Sequence, residues 1–529
     1  MTYSTGHKAV IGPRSIALGV TILVVLALSA LSGVPVAVWG ERPAKSAAAP
    51  SSDQATASGA DSTLPPEPVP AFFDQAAVDV LSQRIEASLG LAKSKTKISF
   101  FVADPATRQV LFARNETLAL VPASNMKVIT AAAAYDLMGP NWEFETEFSA
   151  LDWEDGVARG GLVVKGSGDP SAGFRFSGQS FSKGLDGIAD RLVAAGLREV
   201  KKGIFAAKNP FVGPQRGERW PRDSYVNYWM VELAPLIFND NQIRIQVRPQ
   251  GTKARISFLP AVGYGRAINK VSLVSNRSRQ SLQYNRQDDK PVYTVKGKLY
   301  RKGRGHDHDV NVANGSLYYL SGLRAALKKR GVVVPKDLSE STKDWPKARL
   351  TSILIERSPL KKIVKPLLKR SQNLYAEIVF RQLGQTQGAE GSFAGGTRVI
   401  ANWLKREEIF EEGTVIRDGS GLSRANALGA RQLASVLTLM WQRRSIREVF
   451  RASLAEPGKT GTLRKRMTGL KGRVFAKTGT LTGMSTLSGY VRSRGGRWLV
   501  FAGIFNGGAT STSRRIQDRI CDQLAAFGG

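Results

Sequence analysis

From Ser15 to Gly40 the chain runs 26 residues without a charged side chain, rich in Leu, Val, Ala and Ile. A run this long and unbroken is longer than the apolar stripe of a water-soluble core helix and matches the roughly 20 residues that span a bilayer. Residues 1–14 before it are polar and carry Lys8 and Arg14, the positive flank of an export segment. Residues 1–40 are therefore expected to be a signal peptide or a membrane anchor. Ala30-Leu31-Ser32 before Gly33 offers a cleavage point, and the residues leave both readings open. Either way the folded part is expected in the periplasm or on the outer face of the cytoplasmic membrane.

The next stretch is too polar and proline-rich to build a core. Residues 41–75 are rich in Ala, Ser and Pro, with Pro65-Pro66-Glu67-Pro68-Val69-Pro70 near their end, the composition of a flexible linker. Globular patterning starts near Ala76. Val80, Leu81, Ile85 and Leu89 recur at helical spacing, and 98–103 and 109–114 form two strand-like runs about a turn at Asp104-Pro105. An Ala-rich helix runs from Val128 to Met138 and stops at Gly139-Pro140. Residues 146–310 differ in texture, with short alternating runs such as Gln242-Ile-Arg-Ile-Gln-Val-Arg248. They are expected to form a β-rich insert between segments 76–145 and 311–529. In the latter, a hairpin brackets Gly495-Gly496 and a last helix covers about 512–527.

Charge is unevenly spread. The 529 residues hold 76 Lys+Arg and 43 Asp+Glu, a net charge of +33, which calls for an anionic partner. Residues 1–75 contain four basic and five acidic residues, so the excess lies entirely in the folded part. Residues 241–304 alone hold 15 Lys+Arg against two acids, and six of the 14 residues from Arg357 to Arg370 are basic. Export and the absence of a recognisable motif argue against nucleic acid. An anionic envelope surface, met through the basic insert, is the expected partner.

Three histidines and one cysteine narrow the chemistry. A lone Cys521 excludes an intramolecular disulfide framework and any Cys-based zinc site. His7 lies at the N-terminus, leaving only His306 and His308 for a catalytic triad or a metal centre. Both sit in a Gly/Arg-rich stretch, expected to be a solvated loop, and no metal or organic cofactor is expected. If the chain is a hydrolase, its base is not expected to be histidine.

A serine activated by lysine is the alternative. In Ser-x-x-Lys on a helix, residues i and i+3 share a face, and the N-terminal dipole favours negative charge on the attacking oxygen. The pattern occurs at Ser94/Lys97, Ser124/Lys127, Ser180/Lys183 and Ser358/Lys361. Only Ser124/Lys127 opens a strongly apolar helix, which would bury the lysine and lower its pKa. Ser371-Gln372-Asn373, the one Ser-x-Asn, opens a second amphipathic helix, and Lys477-Thr478-Gly479 lies in a strand of small residues and β-formers whose edge could pair with a substrate chain. Lys459-Thr460-Gly461 repeats those letters but runs into Arg464-Lys465-Arg466, and is expected to be a solvated turn.

These three elements in this order are similar to the penicillin-recognising serine enzymes. Pro122-Ala-Ser-Asn-Met-Lys127, Ser371-x-Asn-Leu-Tyr-Ala-Glu377, Asp418-Gly-Ser-Gly-Leu-Ser-Arg424 and Lys477-Thr-Gly-Thr-Leu-Thr-Gly483 resemble class C low-molecular-mass penicillin-binding proteins, the D-alanyl-D-alanine carboxypeptidase/endopeptidase family. Gly166-x-Gly-Asp-Pro170 and Phe238-Asn-Asp-Asn241 match that family's inserted region. The resemblance covers about residues 76–529. It implies an α+β, β-lactamase/transpeptidase-like catalytic domain, an antiparallel sheet flanked by helices, with a large β-rich insertion between the first two motifs.

It also implies a mechanism. Ser124 would attack the carbonyl between two D-alanines of a peptidoglycan stem peptide and form an acyl-enzyme, as it would with β-lactams as covalent inhibitors. Lys127 would take its proton, Ser371 would assist transfer to the leaving group, and Asn373 would hold Lys127. Lys477, Thr478 and Gly479 would meet the substrate carboxylate, Thr480 would complete an oxyanion hole with Ser124, and Arg424 is a further carboxylate candidate. The opposing possibility is a catalytically weak or inactive scaffold that binds the wall. One departure stands out: Ala207 in Ala207-Lys-Asn-Pro-Phe211 occupies a place where members commonly carry an aspartate facing the stem peptide.

Overall fold

The computed structural model describes residues 67–177, 181, 184–221 and 226–529. The export segment, most of the linker and the Ser180/Lys183 pair lie outside the described residues. None of the described helices is long and apolar enough to cross a membrane.

The first catalytic segment begins with α1 (Gln75–Leu89), which buries Val78, Leu81, Ile85 and Leu89 along one stripe and is capped by Asp74 accepting the Ala77 N–H at 3.0 Å. Strand β1 (Lys97–Ala103) is buried at every position but the first, as a central strand requires, and pairs with β2 (Val110–Arg114). Helix α2 (Met126–Met138) comes next. Its Ala-rich middle is buried all round, so other helices close on it from several sides.

The inserted part has its own core. Strands β3 (Glu143–Glu154) and β4 (Val157–Gly166), helix α3 (Asp186–Ala194), and short strands β5 (Glu199–Val200) and β6 (Ile204–Ala206) lead into β7 (Gln242–Gln250), β8 (Lys253–Leu259), β9 (Arg266–Val274), β10 (Ser281–Arg286), β11 (Val292–Tyr300) and β12 (His306–Asn311). After α4 (Gly315–Lys329) come β13 (Leu338–Glu340) and β14 (Leu350–Pro359). The strands form a six-stranded sheet, β13-β6-β4-β3-β14 with β5 on β4, and two three-stranded sheets, β12-β7-β8 and β10-β11-β9. Phe148, Leu162, Ile243, Val295, Tyr318 and Leu323 belong to the core they enclose.

This inserted part reaches beyond residue 310, where the sequence reading ends it. Strand β14 pairs antiparallel with β3 from Leu350↔Leu151 to Pro359↔Glu143, and α4 buries Tyr318, Leu320, Leu323 and Leu327 in the second core. Amphipathic patterning shows that α4 has a buried face, but not which core receives it. His306 and His308 also lie in a strand rather than a loop. Beside them Asp307 and Asp309 pair with Arg248 and Arg244, and Tyr284 stacks on both rings.

The chain returns through α5 (Leu360–Lys369), α6 (Asn373–Thr386), α7 (Phe393–Arg406), α8 (Ala430–Gln442) and α9 (Arg444–Ser453) to β15 (Val474–Leu481), β16 (Met484–Arg492), β17 (Trp498–Asn506) and α10 (Thr510–Ala526). The catalytic sheet has the order β15-β16-β17-β1-β2 and its pairs are antiparallel. Helices α1 and α10 cover one face, sharing a core with Phe100, Val491 and Phe501. Residues of α2, α5, α6 and α8 fill the other. This is the expected α+β sandwich of helices about an antiparallel sheet. Its first strand in spatial order, β15, is an edge.

Candidate active site

Ser124 lies in a single turn, Ala123–Asn125, that feeds into α2. Two glycines let this turn be squeezed from both sides. A Cβ on Gly421 would lie 1.8 Å from the Ala123 carbonyl oxygen, and one on Gly479 would lie 3.0 Å from both the Pro122 oxygen and the Ser124 nitrogen. Ala123 itself takes a left-handed φ of +46°, a conformation that costs an L-residue energy and persists only where surroundings enforce it. Asn125 supplies part of that enforcement. Buried, it donates to the Thr486 hydroxyl and accepts from Ser488 Oγ at 2.5 Å, while Thr486 donates to the Pro122 carbonyl at 2.9 Å. The serine hydroxyl stays partly exposed in front of a fully packed turn.

Lys127 is one turn further and fully buried. Its Nζ donates to Ser124 Oγ at 3.2 Å, to Asn373 Oδ1 at 2.7 Å and to the Ser420 carbonyl at 2.5 Å, which uses all three donors of an ammonium. Burial pushes its pKa down to about 7, against the opposing charges of Glu377 and Asp418. Burial, with the Asp418 charge, pushes the Glu377 carboxyl upward. Glu377 Oε atoms accept the N–H groups of Gly419 and Ser420 at 3.1 and 2.8 Å. Asp418 accepts the N–H groups of Gly421 and Ser423, both at 2.7 Å, Asn426 Nδ2 at 2.8 Å and Trp220 Nε1 at 2.7 Å. The Gly419–Ser423 backbone is thus strung between two buried carboxylates and offers the Ser420 carbonyl to the lysine.

The second motif meets the third. Ser371, at φ +59°, accepts a hydrogen bond from Lys477 Nζ at 2.8 Å. That ammonium also donates to the Thr478 carbonyl at 2.5 Å, and burial together with the charge of Lys127 holds its pKa well below the usual lysine range. Asn373 bridges outward, donating through Nδ2 to the Trp229 carbonyl at 2.7 Å. On β15, Ala476 exchanges both backbone bonds with Ala455 on the side away from β16, at 2.9 and 3.2 Å. Backbone groups alternate sides along a strand, so those of Thr478 and Thr480 face the same side, where no further strand pairs among the described residues. A second extended chain can be received there.

Arg424 is exposed and donates to the Thr482 carbonyl at 3.3 and 3.4 Å, beyond Thr480 at the far end of β15. Arg514, which sequence reasoning passed over, reaches Thr480 Oγ1 at 3.0 Å from α10. Thr462 is a second such residue. The repeat at Lys459-Thr460-Gly461-Thr462 is not a solvated turn throughout: Lys459 is exposed and pairs with Glu456, but Thr462 accepts from Thr478 Oγ1 at 2.7 Å. Glu377 and Trp220 complete the residues missed. The repeated Lys-Thr-Gly letters were a signal for Thr462; nothing local marked Trp220.

The other Ser-x-x-Lys pairs go elsewhere. Ser94 and Lys97 are exposed, while Ser358 bonds Ser171 and Lys361 bonds Asn141, each at 2.8 Å. In the Ala207 segment, Ala207 bonds Val164, and Phe211 pairs with Gly391 after the C-terminal end of α6.

The family described as D-Ala-D-Ala carboxypeptidase 3 (S13) matches residues 81–527. A D-alanyl-D-alanine carboxypeptidase from Actinomadura sp. (strain R39) is 30% identical over 455 residues, covering 81% of each chain. The carboxypeptidase DacB of Haemophilus influenzae is 24% identical, covering 78% of this chain and 86% of its own. The crystal structure of penicillin binding protein 4 (dacB) from Haemophilus influenzae superposes with a TM-score of 0.72 at 21% identity, covering 83% of this chain and 99% of that one. That likeness establishes the shared fold.

Proposed function

The chain belongs to the D-Ala-D-Ala carboxypeptidase 3 (S13) family, and from that premise we propose that it is a serine-type D-alanyl-D-alanine carboxypeptidase in which Ser124 is the nucleophile and Lys127 its base. The observation that carries the assignment is the 3.2 Å contact between Lys127 Nζ and Ser124 Oγ, made by a lysine whose pKa burial has pushed down to about 7. A neutral amine at that distance accepts the serine proton as Oγ attacks the carbonyl between the two D-alanines. Lys477 and Thr478 hold the terminal carboxylate, and an N–H of Thr480 on the open edge joins that of Ser124 in receiving the oxyanion. Each such donor is worth about 3–4 kcal/mol. The C–N bond then breaks, Ser371 passes a proton to the departing amine, and water releases the acyl group with Lys127 again as base.

β-Lactams enter the same path as covalent inhibitors. The peptidoglycan stem peptide is the substrate, and the charge-free run at 15–40 supports export to the periplasm or the outer face of the cytoplasmic membrane. An inactive wall-binding scaffold is disfavoured because no residue of the three motifs is replaced. Release of D-alanine and cleavage of cross-links use the same groups, since both break a bond after a D-alanine carbonyl. Incubating the protein with a D-Ala-D-Ala pentapeptide and with cross-linked wall, then separating the products, tests the reading. Free D-alanine or cleaved cross-links that disappear with Ser124→Ala support it; no product from either substrate overturns it.

A further inference from the structure

The sheet β10-β11-β9 has one face in the second core, through Leu282, Val295 and Leu299, and one face in water. Directly paired residues share a face, so the register puts Lys296 beside Lys270 on the solvent side, with Lys298 two residues further along β11 and Arg266 four residues back along β9. All four are exposed, and none forms an ion pair among the described residues. Like charges directly opposite one another cost stability. The three strands contain no Asp or Glu to offset it, and the acids nearest in the chain are Asp288 and Asp289 in the turn before β11, of which Asp288 pairs with Arg216. As β9 and β11 are parallel, the exposed Arg277 and Arg279 after one and Arg301 and Lys302 after the other enlarge the field at one end.

The form of this field selects its partner. Charges about 5 Å apart across strands and about 7 Å apart along them make an open array, suited to a polymer with repeated anionic groups rather than to one small ion. Between Gln242 and Asn311 no large hydrophobic side chain is exposed. On this face Ile268 and Val292 are only partly accessible and Tyr300, half-buried, is the single aromatic ring, so the face offers neither the exposed apolar wedge of a bilayer-inserting surface nor the row of aromatic platforms that stacks nucleic-acid bases. We propose that this face docks peptidoglycan itself, its lysines and arginines pairing with free carboxylates of stem peptides, away from Ser124. The proposal rests on peptidoglycan being the substrate. It adds a second contact that keeps the enzyme on its polymer between turnovers.

The test uses the full chain and purified peptidoglycan stripped of attached polymers. The triple variant Lys270→Glu, Lys296→Glu, Lys298→Glu should bind at least about tenfold less in sedimentation at about 20 mM salt, with the gap closing at about 500 mM. The corresponding Gln variant should fall between the two. Labelling by fluorescent penicillin and hydrolysis of a soluble D-Ala-D-Ala peptide should stay at wild-type level, which shows that the variants fold. Amidating the wall carboxylates should abolish the difference. Unchanged sedimentation of the Glu variant overturns the proposal, as does a loss confined to phosphatidylglycerol vesicles or to a DNA oligonucleotide. Failure of wild type to hydrolyse the soluble peptide instead overturns the substrate reading.

Discussion

Glu377 and Lys127 hold the backbone of one residue, Ser420, from opposite sides: the carboxylate accepts its N–H at 2.8 Å while the lysine donates to its carbonyl at 2.5 Å. The negative group thus orients the acceptor that orients the base, and its charge opposes the effect of burial on the lysine. The motif serine and lysine work within a frame set by a residue six positions after Ser371.

This pairing predicts a pH dependence. A lysine acting as base must be unprotonated, so the acylation rate by penicillin should rise with pH through about 7 and level off above. Glu377→Gln removes a charge that raises the Lys127 pKa, so the rising limb should move to lower pH. Stopped-flow acylation between pH 5 and 9 measures it; a limb that stays in place or moves upward contradicts the coupling.

Gly421→Ala should disable the site without touching the Ser-x-x-Lys, Ser-x-Asn or Lys-Thr-Gly element. Its Cβ would meet the Ala123 carbonyl at 1.8 Å, in a φ of +78° that alanine adopts poorly. The turn carrying Ser124 must shift, and misplacement by an ångström can cost about a hundredfold in rate. Penicillin acylation should fall by that order while far-ultraviolet circular dichroism stays unchanged; wild-type acylation would contradict the squeeze.

Lys477→Ala separates recognition from chemistry. Lys477 is bonded to Ser371 and Thr478 and lies on the strand proposed to receive a carboxylate. The variant should lose acylation by penicillin far more than acylation by the penicillin methyl ester, which lacks the carboxylate. Equal losses with both would assign Lys477 to the proton path instead.

Asp240 joins the insert to the second motif. Three successive left-handed residues, Asn239, Asp240 and Asn241, turn its carboxylate inward, where it accepts from Tyr375 and Arg175. With the Gln372 amide turned so that its oxygen faces the guanidinium, Gln372 also accepts from Arg175 at 3.1 and 3.2 Å. Removing one partner of a buried pair costs about 3–5 kcal/mol. Asp240→Ala should lower the melting temperature and slow acylation, and Asp240→Asn should recover part of both. An unchanged melting temperature would leave the bridge without energetic weight.

The groups that the structure gathers around Ser124 are legible in the sequence because their signals are local. Scarce histidine points away from a triad, and only the Ser124 helix is apolar enough to bury its lysine. The edge position of β15 agrees with the small residues and β-formers around Lys477. The supporting frame is less legible. Trp220 and Asp418 are 198 positions apart and meet only because the inserted part folds back onto the catalytic part. Thr462 reads as a repeat in a charged turn, yet its hydroxyl meets Thr478. Helix α4 has an apolar face whose pattern does not show which of two cores covers it, and so the boundary of the insert read from sequence falls short.

The central claim is that Ser124 forms the acyl-enzyme with Lys127 as base. Incubation with penicillin G followed by intact-mass and peptide mass spectrometry tests it most directly. The account predicts one penicilloyl adduct on the peptide containing Ser124, absent in Ser124→Ala and formed far more slowly in Lys127→Ala. An adduct on another serine, or one that persists in Ser124→Ala, would contradict it.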